Sequence, residues 1–400
     1  MALKILLGTV KNPSAFIRSK FLLIGPPLIK RRNHRQVLNL HIPRWSSYRF
    51  TSSMARAVDS RVDIPDSNDR RPTMSTDTEK NSAKSSMLVE YGGATFDVVY
   101  EDHVAVNDDH GTTDDKERPE APIIVGVHGD LGAAGDFKYV VPALVKAGCR
   151  LVLPNFPGYG LSTQVSPEET IYHGPVERSN LLSAFLDKLN IDKVDMLLCH
   201  SAGSWVGYST ANRDKRIKSV THLCPVGHRV HRALRLHRLM PIALWVMNTR
   251  FGPVIERFIL WAYMNAGFHH QTIDRIYVSL RFLNQLNFPK CRATMEKLKN
   301  RNLPTLIAFS QADKLIEWQI PYEACQILGI PASHILAYDK DGAPVVPEME
   351  FIDPIVDGAF KRGLMFETGS HYVHKLHTER IVNNMMHVIN SIKSENGAKL

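Results

Sequence analysis

Residues 194 to 206, Val-Asp-Met-Leu-Leu-Cys-His-Ser-Ala-Gly-Ser-Trp-Val, carry an apolar strand straight into a tight turn centred on Ser201. A strand that is apolar on both of its faces belongs to a parallel sheet covered on both sides by helices, so this stretch already points to an α/β architecture. Small residues around a serine at a strand-to-helix junction let two backbones approach closely, which is the pattern of a nucleophile elbow. Here the pentapeptide is Cys199-His200-Ser201-Ala202-Gly203, with cysteine where the pattern has its first glycine. Cysteine is larger than glycine but still compact, and the turn survives the exchange.

Two upstream segments extend the reading. Ile123-Ile124-Val125-Gly126-Val127 is a β-branched strand that breaks into His128-Gly129-Asp130-Leu131-Gly132, and Arg150-Leu151-Val152-Leu153-Pro154 is a second, followed by Pro157-Gly158-Tyr159-Gly160. Residues 137 to 147, 176 to 189 and 202 to 212 read as crossover helices. Further strands are predicted at 219 to 224, 304 to 309 and 363 to 366, with a closing helix from 372 to about 391. A His-Gly loop, a Pro-Gly-Tyr-Gly segment and then a serine elbow, in that order, resemble the α/β-hydrolase family over about residues 88 to 395. The nearest likeness is to a nematode group of α/β-hydrolase-like proteins of unassigned function. It implies a mostly parallel sheet with helices on both faces and a helical lid, and it implies no substrate.

A serine hydroxyl is a poor nucleophile unless a histidine takes its proton and a carboxylate holds that histidine in the useful tautomer. In this fold the chain order is serine, acid, histidine. The run from Leu306 to Ile316 places Asp313 just past a buried strand, as the orienting carboxylate or as the cap of the next turn. Glu317 and Asp341 are weaker alternatives. A Gly369-Ser370 turn delivers His371 as general base, with His374 as its competitor. The resemblance assigns the oxyanion donors to the backbone N–H groups of Ala202 and Asp130, with His128, Gly129, Cys199, His200 and Gly203 framing the site. An acidic side chain at 130 is awkward beside a developing negative charge. Ser201 in place of an aspartate argues against epoxide or haloalkane chemistry. The 58 positions from Asp313 to His371 exceed an ordinary connection, and residues 339 to 357 read as an inserted loop near the site.

Between about residues 225 and 302 strand-helix alternation gives way to helical periods rich in Leu, Met and Trp, read as a lid. Most of these side chains must pack on the core, yet their number suggests a lipophilic pocket or contact with a membrane surface. His228, His231 and His237 interleave there with Arg229, Arg232, Arg235 and Arg238, an anion-attracting cluster or simply a solvated helix face.

The formal net charge of +9 belongs to the N-terminal leader. Residues 1 to 58 hold eleven Lys and Arg and no acid, and the remainder has 38 basic against 40 acidic residues, which gives no case for nucleic-acid binding. An acid-free, Arg-bearing leader resembles a mitochondrial transit peptide, with cleavage expected near residues 49 to 53. A disordered basic tail on a cytoplasmic protein, or a membrane-surface anchor, are the alternatives. Residues 59 to 87 read as a disordered linker and 107 to 120 as an exposed hairpin loop. Five scattered cysteines show no zinc-site spacing, and with no Walker loop or dinucleotide fingerprint, no metal or organic cofactor is expected. The expectation is therefore a serine hydrolase acting by acyl transfer to water on a small lipophilic ester or thioester. The rivals are an inactive binding module for a lipid or protein, favoured by Cys199 and Asp130, and a hydrolase of carbon-carbon or peptide bonds.

Overall fold

The computed structural model describes residues 82–104, 121–164, 174–265 and 272–397. The leader of residues 1 to 58, the linker up to residue 81 and the loop of residues 107 to 120 lie outside the described residues.

The chain opens with an antiparallel pair, β1 (Ser82–Tyr91) and β2 (Ala94–His103), then β3 (Ile123–Val127), α1 (Val141–Lys146), β4 (Arg150–Pro154), the short β5 (Thr163–Gln164) and α2 (Pro175–Lys188). The elbow region follows as β6 (Met196–His200), α3 (Gly203–Arg213) and β7 (Val220–Leu223). A helical excursion comes next, α4 (Met240–Met247), α5 (Gly252–Asn265), α6 (Ile273–Asn284) and α7 (Phe288–Arg301). The chain then returns through β8 (Thr305–Ser310), α8 (Gln319–Ile327), β9 (Ile335–Tyr338), β10 (Ile355–Val356), β11 (Ala359–Phe366), α9 (Val373–Leu376) and α10 (Thr378–Gly397).

The strands form one sheet in the order β1-β2-β4-β3-β6-β7-β8-β11-β10, with β5 beside β2 and β9 beside β11. From β4 through β3, β6, β7, β8 and β11 to β9 every pairing is parallel. Alternation explains the continuous apolar runs. Val125, Val127, Leu197 and Cys199 face the layer that holds Leu181, Trp205 and Met295 of α2, α3 and α7. Ile124, Met196 and Leu198 face the layer that holds Leu144 and Met385 of α1 and α10. Both faces are dry, and α3 is buried from Gly203 to Ala211.

Four differences from the sequence reading have local causes. The linker was expected to reach residue 87, but β1 begins at Ser82 because all ten of its residues pair with β2. The helix expected at 137 to 147 is a 3-10 turn, Ala134–Phe137, followed by α1. The closing helix breaks at His377, whose ring stacks on Phe366 at 4.1 Å while its Nε2 bonds the Thr368 carbonyl at 3.2 Å. The inserted loop only begins near the site, since its far part, β10, pairs with the start of β11, at the end away from His371.

Candidate active site

Ser201 occupies the turn between β6 and α3 with φ +50°, a left-handed backbone that non-glycine residues seldom adopt and that marks strained functional turns. Its N–H is held by the Leu223 carbonyl at 2.9 Å. Gly203 is obligatory, because a Cβ there would run into the carbonyl oxygens of Val127 and His128. The glycine missing at position 199 is made good across the contact. A Cβ on Gly207 of α3 would strike the Cys199 sulfur, so the helix gives up the space that the cysteine takes. Burial pushes the Cys199 thiol up, which keeps it protonated and inert beside the serine.

Asp313 follows β8 and His371 follows β11, neighbouring parallel strands, and both arrive at the carboxyl edge where β6 presents Ser201. His371 Nδ1–H donates to Asp313 Oδ2 at 2.7 Å, and the Ser201 hydroxyl donates to His371 Nε2 at 2.7 Å. A carboxylate only accepts, so the ring proton sits on Nδ1 and the Nε2 lone pair faces the serine. The other Asp313 oxygen accepts the N–H groups of Leu315 at 2.8 Å and Ile316 at 3.1 Å. Orienting and capping are thus done by different oxygens of one carboxylate. Burial alone would push the Asp313 carboxyl up, but the His371 bond and these two donors overcome it and hold the group below its usual range.

The alternatives fall elsewhere. Glu317 accepts the Arg232 N–H at 2.8 Å and Asp341 is exposed. His374 is fully buried, donates Nε2–H to the Asp136 carbonyl at 2.7 Å and is pushed down to about 3 by burial. Of the basic cluster, Arg229 and His228 pair with Glu323, and His231 is buried against the Leu315 carbonyl.

The Asp130 carboxylate does not face the serine. It accepts from Tyr159 at 2.6 Å and from Ser279 of α6 at 2.5 Å, and buried Arg178 donates to the Tyr159 hydroxyl at 3.3 Å. Among the described residues nothing accepts the backbone N–H of Asp130 or of Ala202. His128 is structural. It accepts the Phe156 N–H on Nε2 at 3.0 Å and donates Nδ1–H to the Gly129 carbonyl at 2.7 Å, and burial pushes it down to about 4, which fits a neutral ring.

Sequence reasoning missed Asp136. It takes the Gly129 N–H at 2.9 Å and His200 Nδ1–H at 2.9 Å on the same oxygen. Burial would raise this carboxyl, but His200 overcomes burial and holds it below the carboxylate range. His200 also points Nε2 at the His371 carbonyl, 3.2 Å away. The available signal was an acid within the small, apolar run Ala133-Ala134-Gly135-Asp136-Phe137.

Cys224 Sγ, an Asp313 oxygen and a His371 nitrogen lie within 4.8 Å of one another. Burial keeps the Cys224 thiol protonated and the other two bond each other, so this chemistry suits a proton relay better than a metal.

Sheet order, elbow and the Ser201-His371-Asp313 series together define an α/β-hydrolase fold. The chain belongs to the family described as alpha/beta hydrolase of unknown function (DUF1057), whose model matches residues 79–390. Among solved structures it is similar to a bromoperoxidase from Bacillus anthracis, at 15% identity and TM-score 0.50, over 76% of this chain and 100% of that one. An esterase from Exiguobacterium antarcticum matches at 12% identity and TM-score 0.51, over 76% of this chain and 100% of that one. A haloalkane dehalogenase loop variant from Bradyrhizobium elkanii matches at 16% identity and TM-score 0.51, over 78% and 99%. At these identities the likeness is one of fold. No curated protein matches the chain.

Proposed function

We propose that the protein is a serine hydrolase that transfers an acyl group from a lipophilic ester or thioester to water. The observation that carries this is the series of two 2.7 Å hydrogen bonds joining Ser201, His371 and Asp313. Ser201 Oγ attacks the acyl carbon as His371 Nε2 takes its proton, and Asp313 steadies the resulting imidazolium. The N–H groups of Ala202 and Asp130 receive the oxyanion. On collapse His371 returns the proton to the leaving oxygen or sulfur. Water, deprotonated by the same histidine, then releases the acid and frees Ser201.

The lipophilic assignment rests on Leu131. It follows Asp130 and packs into the cap cluster of Met247, Ile276 and Leu280, so an acyl group at Ser201 meets apolar walls. The helical excursion is the proposed lid, tied to the site through Asp130 and Ser279. Dehalogenation in this fold needs a carboxylate at the elbow, where this chain has Ser201. The two features that favoured an inactive binding module, Cys199 and Asp130, are accommodated by Gly207 and by the Tyr159-Ser279 pair. Import into mitochondria is the proposed destination, on the strength of the acid-free leader alone.

Hydrolysis of p-nitrophenyl esters and acyl thioesters of increasing chain length tests the proposal. The expected result is turnover that rises with chain length and falls at least ~10³-fold in Ser201→Ala. Turnover unaffected by Ser201→Ala would contradict it.

A further inference from the structure

The cap helix α5 is apolar on two sides. Ile255, Ile259 and Tyr263 pack with Met247, Ile276 and Leu280. On the outer side Val254, Phe258 and Trp261 recur at the spacing of a single helix face, flanked by Phe251 and Met264, and Trp245 of α4 adds to them. These are large side chains left open, with Trp245 at 69%, Phe258 at 61% and Trp261 at 53% exposure. Phe258 and Trp261 stack at 5.8 Å, which holds the strip as a preformed aromatic surface. A contiguous apolar strip of this kind marks a face that meets something.

The charges around it select the occupant. Residues 225 to 265 hold six arginines and one acid, Glu256. Arg257 neighbours Phe258 along the strip, and the Arg250 guanidinium lies 4.9 Å from the Phe251 ring centre. Glu256 falls about 200° round the helix from Val254, on the other side. Arg238, Arg250 and Arg257 are exposed and form no ion pair with an acid among the described residues. A second copy is disfavoured, because a two-fold contact would set these arginines against themselves with no acid on the face. An apolar strip edged by arginine matches an anionic bilayer surface, where side chains enter the acyl boundary and guanidinium groups meet phosphates.

We propose that the outer face of α4 and α5 docks the protein on an anionic lipid surface. This goes beyond the hydrolase reading and does not depend on it, since no residue of the strip touches Ser201, His371 or Asp313. The test uses the full chain with vesicles of phosphatidylcholine, alone or mixed with phosphatidylglycerol, carrying brominated acyl chains that quench embedded tryptophan. Binding and quenching are expected with the mixed vesicles, and equally in Ser201→Ala. Every protein tested carries Trp45→Phe, which silences the tryptophan of the basic leader, and Trp245→Phe with Trp261→Phe on that background is expected to remove most of the quenching. Trp245→Glu with Phe258→Glu, and separately the charge reversal Arg238→Glu, Arg250→Glu and Arg257→Glu, should each weaken binding at least tenfold with near-ultraviolet circular dichroism unchanged. Quenching that survives the Trp→Phe pair, equal binding to neutral vesicles, or a dimer that Trp245→Glu splits while vesicle binding is absent would each overturn the proposal.

Discussion

The Oδ2 of Asp130 lies 2.5 Å from the hydroxyl of Ser279, so the loop proposed to offer an oxyanion donor is fastened to helix α6. Tyr159 holds the other oxygen at 2.6 Å, which turns the charge away from Ser201 and leaves the backbone N–H as the part of Asp130 proposed to serve the reaction. Ser279→Ala and Tyr159→Phe should each cost about 1–3 kcal/mol in urea unfolding by leaving the carboxylate short of a donor, and both should lower kcat. Asp130→Asn should not accelerate the enzyme. A rate gain in Asp130→Asn would mean that the carboxylate opposes the oxyanion after all.

Gly207 and Cys199 share one space, in which a Cβ on the helix would strike the sulfur on the strand. Gly207→Ala is expected to destabilise by about 1–3 kcal/mol through overpacking, and Cys199→Gly added to it should restore most of that loss. Additive losses in a double-mutant cycle of denaturant midpoints would show that the two positions do not share the space.

Asp136 supports a loop and a strand end at once, taking Gly129 N–H and His200 Nδ1–H on one oxygen. Asp136→Ala should cost about 1–3 kcal/mol for each buried donor it strands, and should reduce activity more than Glu317→Ala does. Comparable losses in the two variants would remove the positioning role.

How much of this was legible in the sequence depends on distance along the chain. Ser201, Asp313 and His371 each sit where an apolar strand ends in a recognisable turn, so their order and type could be read locally. Asp136, Gly207, Ser279 and Arg178 act across contacts between elements, and apart from the acid standing in a small, apolar run at Asp136 nothing local marks them. Strand β9, Ile335–Tyr338, was missed because four residues that pair on one side only carry little pattern, and that stretch was absorbed into one long connection.

Among the described residues burial pushes six histidines down, four of them far, His128 and His231 to about 4 and His222 and His374 to about 3. In the unfolded chain each titrates near 6.5, so below that pH the unfolded state binds more protons and stability falls as pH drops from about 6.5 towards about 4. The slope is as much as about 1.4 kcal/mol per pH unit for each ring. Urea midpoints at pH 7.5 and pH 5.5 should differ markedly. His222→Phe should flatten the dependence by one ring's share, because neither His222 nitrogen has a partner among the described residues. Equal midpoints at the two pH values would contradict the neutral, buried state of these rings.

If His371 and Asp313 make Ser201 a nucleophile, covalent labelling of the full chain with a fluorophosphonate, mapped by mass spectrometry, reads it at the atom concerned. The expected result is one adduct per chain on Ser201, abolished in Ser201→Ala and strongly slowed in His371→Ala, with circular dichroism unchanged in both variants. A well-folded protein that takes no label, or a label that persists in Ser201→Ala, would contradict it.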